Sequence, residues 1–292
     1  DTIVCEDVNF HYVEETPHRN VPFEITWGQK GNALDNPDRI QVKVYKCSSM
    51  ADNCGGCLTL DNKYNCGWCT SGPTEYCSIQ NQCTNVWLDH SQDCPNPSIS
   101  DFWPETGPTK GGTKLTIQGI NLGKTFDDIK DGVKVAGIKC IPDPASYIPA
   151  RMIICETGRI TSANQGAIVI SVRNRFSNAS TKHYSYVIPE ITDFDPKIGP
   201  MSGGTRVTIK GKHLNAGTKV LASVVGHACE IDPRSITNSM VVCVTSPNPM
   251  DSAGLVQMEF DRETVSFDKQ TYHYKQDPII TSVYPEQGIR SG

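Results

Sequence analysis

Apolar residues along this chain come in short alternating runs, not at the three-to-four spacing of an amphipathic helix. Thr113-Lys-Leu-Thr-Ile117 and Thr205-Arg-Val-Thr-Ile209 put their apolar side chains on one face of a strand. Ala167-Ile-Val-Ile-Ser-Val172 and Leu255-Val-Gln-Met-Glu-Phe260 read as later strands, followed by the aromatic alternations Tyr184-Ser-Tyr186 and Tyr272-His-Tyr274. Gly, Pro, Asn and Asp bound these runs, which marks turns between many short strands. The expected fold class is all-β, as tandem immunoglobulin-like sandwiches. No apolar run approaches the roughly 20 residues that cross a bilayer, and Val220 to Val225 is strand-sized, so no membrane insertion is expected of this segment.

The pattern repeats. Pro97-Ser-Ile-Ser-Asp-Phe-Trp-Pro-Glu-Thr-Gly-Pro108, Pro189-Glu-Ile-Thr-Asp-Phe-Asp-Pro-Lys-Ile-Gly-Pro200 and Pro278-Ile-Ile-Thr-Ser-Val-Tyr-Pro-Glu-Gln-Gly-Ile289 align without gaps. They recur about every 90 residues, close to the roughly 100 of a sandwich domain. The first two lead through a Gly-Gly turn, Gly111-Gly112 and Gly203-Gly204, into the alternating strand. Each full copy then carries two cysteines, Cys140 with Cys155 and Cys229 with Cys243, on strands parted by a short loop, so one local disulfide can staple neighbours. Thr2-Ile-Val-Cys5 looks like the Met152-Ile-Ile-Cys155 and Met240-Val-Val-Cys243 steps, and Ile40-Gln-Val-Lys-Val-Tyr45 looks like a closing strand. Residues 1–46 therefore read as the back half of another copy, and the chain as an internal piece cut at both ends. Its start at Asp1, with no charged and apolar leader, fits that reading or a removed signal peptide.

Composition sharpens this picture at the cysteines. There are 13, and the odd one is expected to be Cys5, unpaired because its partner lay upstream. Eight of them crowd residues 47–94: Cys47, Cys54, Cys57, Cys66, Cys69, Cys77, Cys83 and Cys94. So small a unit cannot bury enough apolar surface to offset chain entropy, and staples of roughly 2–4 kcal/mol each supply the rest. Such bridges need an oxidising compartment. The one N-x-S/T acceptor, Asn178-Ala-Ser180, agrees and marks Asn178 as a glycosylation site. Eight cysteines allow 105 pairings, among which the sequence does not choose. The same cysteines fit two other chemistries less well. Cys54-x-x-Cys57 with Cys66-x-x-Cys69 could hold zinc, but the spacer is short and four cysteines would be left over. Cys66-Gly-Trp-Cys69 has redox dithiol spacing, but no βαβ pattern surrounds it.

The formal charge of −5, with Lys and Arg scattered, argues against nucleic acid. The seven histidines, His11, His18, His90, His183, His213, His227 and His273, are dispersed, with no metal-spaced pair and no nucleophile elbow or phosphate loop. Gly-Gly-Thr precedes a strand, so it reads as a turn. No catalytic residue, cofactor or metal is expected.

These residues carry a family resemblance. Cys47-x6-Cys54-Gly-Gly-Cys57-x8-Cys66-Gly-Trp-Cys69 with Cys77, Cys83 and Cys94 resembles the PSI module of plexins, semaphorins, integrins and Met-type receptors. The Pro-x-x-Gly-Pro-x-x-Gly-Gly-Thr-x-x-Thr-Ile-x-Gly repeats resemble IPT (TIG) domains. A PSI module set between IPT domains resembles a plexin, and the junction from Trp27 through Asp35-Asn-Pro37 to Cys47 is most similar to class A. The resemblance implies the end of a second IPT domain (1–46), a third PSI module (47–94), two IPT domains (95–188 and 189–275) and the first strand of a further one (276–292). It also implies the pairs Cys47 to Cys66, Cys54 to Cys94, Cys57 to Cys77 and Cys69 to Cys83. Plexins are single-pass receptors that bind semaphorins through a head domain absent from this stretch, so the implied location is extracellular, on the plasma membrane.

The role so implied is a stalk that spaces and orients the head. The short, proline-stiffened linkers Cys94-Pro-Asn-Pro97 and Val187-Ile-Pro189 support it, since no Gly/Ser tract lets the units tumble. The alternative is a binding module, an IPT surface that contacts a co-receptor or another copy of the receptor. Trp87 and Trp103 are its candidate contacts, although single aromatics in small domains are usually core.

Overall fold

The computed structural model describes residues 16–71, 74–285 and 287. Cys5 and the Thr2–Cys5 step lie outside them, as do parts of the third repeat. Among the described residues strands dominate, and the helices are single turns.

The first unit is a hairpin, His18–Pro22 against Gln41–Tyr45, with a smaller ribbon of Thr26–Trp27 and Asn32–Ala33 in its loop. Val44 is its one buried side chain among the described residues.

The cysteine-rich unit opens with two helical turns, Cys47–Met50 and Cys54–Leu58. Asn53 caps the second: its side chain accepts from the Gly56 amide at 2.8 Å, satisfying one of the orphan donors of a helix start. A three-stranded antiparallel sheet follows, in the order Thr74–Ile79, Cys66–Ser71, Val86–Leu88. Its core is mostly sulfur: Cys47, Cys54, Cys57, Cys66, Cys77 and Cys94 are buried with Ala51, Leu58 and Trp68.

Both repeats form sandwiches of one topology. In the first, strands follow the order Ser98–Trp103, Lys114–Ile120, Met152–Thr157, Ile138–Pro142, Val133–Val135, Asn164–Val172, Phe176–Val187, Thr106–Pro108. In the second the order is Glu190–Asp195, Arg206–Lys212, Met240–Thr245, His227–Ile231, Val220–Val224, Ser252–Phe260, Glu263–Lys275, Ile198–Pro200. Neighbours are antiparallel except the last pair of each, which is parallel. The opening strand pairs with one sheet and, past Pro104 or Pro196, its continuation joins the other, which ties the two layers together.

Alternation does what it predicts. Leu115 and Ile117, and Val207 and Ile209, are fully buried while their neighbours face outward. The alternating tyrosines fill each core: Tyr184 and Tyr186 meet edge to face at 5.1 Å, as do Tyr272 and Tyr274. Trp103 departs from the expectation of a core aromatic, being 45% exposed. It sits on an edge strand whose inward position belongs to Phe102.

This topology gives each sandwich two distinct ends. The loop 121–131 and the hairpin tip 173–175 lie at the end nearest the preceding unit, as do 213–219 and 261–263 in the second sandwich. The Gly-Gly turn and the residues around it lie at the other.

Candidate functional site

Each cysteine singled out above, Cys5 aside, lies in a disulfide. Cys47 is joined to Cys66, Cys54 to Cys94, Cys57 to Cys77 and Cys69 to Cys83. Cys140 is joined to Cys155 and Cys229 to Cys243. The Cα separations run from 5.4 to 5.8 Å, within the normal range. Neither Cys-x-x-Cys pair is a free dithiol, and no cluster of metal-ligating side chains occurs among the described residues. What polar chemistry the structure concentrates lies at the joints between units.

The first joint holds the cysteine-rich unit against the first sandwich. Asn121, in the left-handed conformation that Asn tolerates, is its hinge pin. Its Oδ1 accepts from the Gly55 amide at 2.8 Å, and its Nδ2 donates to Pro95 O at 3.1 Å. A Cβ on Gly55 would stand 2.6 Å from the Ala150 methyl, so glycine is what lets the backbones meet. Lys124 Nζ donates to His90 O at 2.8 Å and to Gln92 O. Arg173, at the hairpin tip, bridges two carboxylates: Nη1 lies 3.0 Å from Asp93 Oδ1 and Nε 2.6 Å from Asp128 Oδ1. The Asp128 side chain is 4% exposed and also accepts from the Lys124 and Thr125 amides at 2.9 Å. Burial pushes its carboxyl up, but the Arg173 guanidinium and those two amides outweigh burial and hold it below the ordinary carboxylate range. Asn178, the glycosylation candidate, has its Nδ2 on Pro97 O at 2.9 Å, and Ser180 Oγ is engaged with Ile168 N and Lys182 O. The linker is thus held at Pro95 and Pro97.

The second joint uses the same two ends with different chemistry. Asp261, at the hairpin tip equivalent to Arg173, accepts from Thr113 Oγ1 at 2.6 Å across the joint. Its other oxygen accepts from the Lys219 and Thr218 amides at 2.8 and 3.1 Å, which fixes the carboxylate in place. Around it the Gly217 amide donates to Thr106 O at 2.9 Å, Thr218 Oγ1 donates to Lys114 O at 3.1 Å, and Arg262 pairs with Glu156. A Cβ on Gly112 would stand 2.5 Å from Arg262 Cγ, so this turn too is pressed by its neighbour.

Of the residues that close these joints, the linker prolines Pro95 and Pro97, His90, Thr106, Asn178, the Gly-Gly turn and the Thr113-Lys114 step are prominent in the sequence for other reasons, whereas Asn121, Lys124, Asp128, Arg173, Thr218 and Asp261 are not. The one available signal was the charge on the two equivalent tips, Arg173-Asn-Arg175 and Asp261-Arg-Glu263.

Comparison with known proteins gives concordant matches. The family model described as IPT/TIG domain matches residues 97–187 and 189–274, and the one described as TIG domain found in plexin matches 1–45. Human Plexin-A4 is 38% identical and human Plexin-A2 35% identical over the whole chain, which spans 16% of either protein's length. Among solved structures, the full extracellular region of plexin A4 with domains 1 to 8 is similar at a TM-score of 0.79 and 34% identity, covering 93% of this chain and 28% of that one. A second structure, with domains 1 to 10, has the same TM-score and identity over 96% of this chain and 24% of that one.

Proposed function

The chain belongs to the plexin family, and on that premise we propose that it is a non-catalytic stalk, a run of interlocked units that fixes the distance and angle between a ligand-binding head and the membrane. The segment is extracellular, part of a cell-surface receptor, and by class it sits with the A plexins. The head engages semaphorin and lies outside this stretch. The units of the stalk are 1–46, 47–94, 95–188 and 189–275, with 276–292 opening another. The six disulfides brace the cysteine-rich unit and the two sandwiches, and Asn178 carries a glycan beside the first joint.

The observation that carries this reading is the directional interlocking of the joints. A flexible tether needs none of it. Here two short linkers are flanked by side chains from both units, each bonded to a specific backbone or carboxylate partner. Hydrogen bonds of this kind contribute roughly 0.5–1.5 kcal/mol each, and several acting together select one angle. Small-angle X-ray scattering from the chain is expected to fit one curved, nearly rigid rod, and a profile that requires a broad ensemble overturns the proposal.

A further inference from the structure

Between the first hairpin and the cysteine-rich unit runs an open groove of about 640 Å³, lined by Tyr45, Asn65, Ile79, Gln80, Asn81 and Trp87. That volume lies within the roughly 300–1,000 Å³ of small-ligand sites. Two aromatic rings, three side-chain amides and one aliphatic side chain make up the lining, and none of the six is charged.

The rings are fixed by their neighbours. Trp87 Nε1 donates to Ser78 O at 3.2 Å, and a Cβ on Gly67 would stand 2.3 Å from Trp87 Cε2, so the indole lies directly on the Gly67 backbone. The glycine of the Cys66-Gly-Trp-Cys69 step is thus what seats Trp87. With its N–H engaged, the indole offers the groove ring surface alone. Tyr45 is held by Tyr64, edge to face at 4.8 Å. The amides, by contrast, are unengaged. Asn65 ends the helical turn Asn62–Tyr64 in the left-handed conformation, at φ 48°, and Gln80 and Asn81 lie in the turn Gln80–Gln82. None of the three side chains bonds to a described residue, whereas those of Asn53 and Asn121 are taken up by the fold.

We propose that this groove binds a neutral saccharide. The C–H face of a pyranose ring rests on Trp87 and Tyr45, and its hydroxyls pair with the amides of Asn65, Gln80 and Asn81. Each side-chain amide presents donors and an acceptor in one plane, which suits a pair of adjacent hydroxyls, since each hydroxyl both donates and accepts. An uncharged lining gives an anionic sugar nothing to pair with. A peptide strand fits less well: its capture relies on a row of main-chain groups with pockets for alternate side chains. The lining here is side-chain amides, with Ile79 as the single aliphatic wall. An extracellular segment meets neutral glycans on other glycoproteins, and this chain's own Asn178 is a second source of the same chemistry. Such a site is additional to the stalk role and independent of it.

The test is a nuclear magnetic resonance titration of this chain with a mannose trisaccharide, with sialyllactose and a proline-rich peptide as comparisons. Saturable shifts in the millimolar range are expected at the Trp87 indole and at the side-chain amides of Asn65, Gln80 and Asn81, with the other two probes weaker. Asn65→Gly suits the left-handed backbone and removes the amide without touching the core. It is expected to weaken binding roughly two- to tenfold, the loss of about one hydrogen bond, and Gln80→Ala with Asn81→Ala to weaken it further. Binding that appears only after enzymatic removal of the chain's own N-glycan assigns the site to that glycan, and binding with it in place assigns the site to a glycan of another molecule. Three results overturn the proposal: no saturable shift with the trisaccharide, shifts that survive both sets of substitutions unchanged, or tighter binding of the peptide. Protection of Trp87 from hydroxyl-radical oxidation in the longer receptor ectodomain, relative to this chain, would also overturn it, because another unit would then fill the groove.

Discussion

Asp261 is, by its place in the sequence, one more charged residue in a hairpin turn, yet donors from two sandwiches converge on it. Removing the carboxylate in Asp261→Ala leaves Thr113 Oγ1 and the Thr218 and Lys219 amides without their acceptor. The expected cost is about 1–3 kcal/mol, charged to the docking of the sandwiches and not to either core. Cleavage in the linker Val187-Ile-Pro189 should then accelerate by an order of magnitude or so with far-ultraviolet circular dichroism unchanged. Equal cleavage rates would show that the carboxylate holds nothing. Asp128 answers to pH instead. Its folded carboxyl titrates below the ordinary range, so the stability it lends is fully present above about pH 4 and is lost as pH falls through the folded value. Asp128→Asn is expected to be less stable at neutral pH and to lose less on acidification to pH 3, as read from urea titrations at each pH. A variant that loses as much as the parent would place the acid sensitivity elsewhere.

At the scale of elements, what the sequence discloses is what depends on neighbours along the chain. Strand alternation exposed the sandwiches, because burial on one face repeats every second residue and Leu115 and Ile117 obey it. The helical turns at Cys47–Met50 and Cys54–Leu58 were not legible. They are too short for a period, and tight packing and disulfides, not propensity, hold them. The joints were invisible for another reason: Thr113 meets Asp261 across 148 positions and Thr218 meets Lys114 across 104. Nothing local marks such a contact. The cysteines fall between these cases, since their crowding announces a stapled unit while counting leaves the partners open. Elements with and without a core should respond differently to loss of a staple. In Cys229→Ala with Cys243→Ala the sandwich keeps its apolar core, and the expected loss is about 3 kcal/mol for a loop of 14 residues. The cysteine-rich unit, whose core is mostly sulfur, is expected to lose its dispersed amide spectrum when Cys54 and Cys94 are both replaced. If it stays folded, its short helices and sheet hold it without that staple.

For the whole molecule, the consequence of two chemically different joints is that each angle can be altered alone. Arg173 works at the first joint through Asp93 and Asp128, while Asp261 works at the second through Thr113, and the first sandwich lies between them. Effects at sites this far apart with no shared partner should add. Spin labels on the cysteine-rich unit and on each sandwich, read as distance distributions, put this to the test. Arg173→Ala should widen the distances that span the first joint and leave the distance between the sandwiches narrow, and Asp261→Ala should do the reverse. The two together should widen the end-to-end distribution by about the sum. A stalk that transmits orientation requires this independence of rigid segments joined at fixed angles. Were either substitution to widen both distributions, the angle would belong to the assembly as a whole, and the joints could not be treated as separate parts.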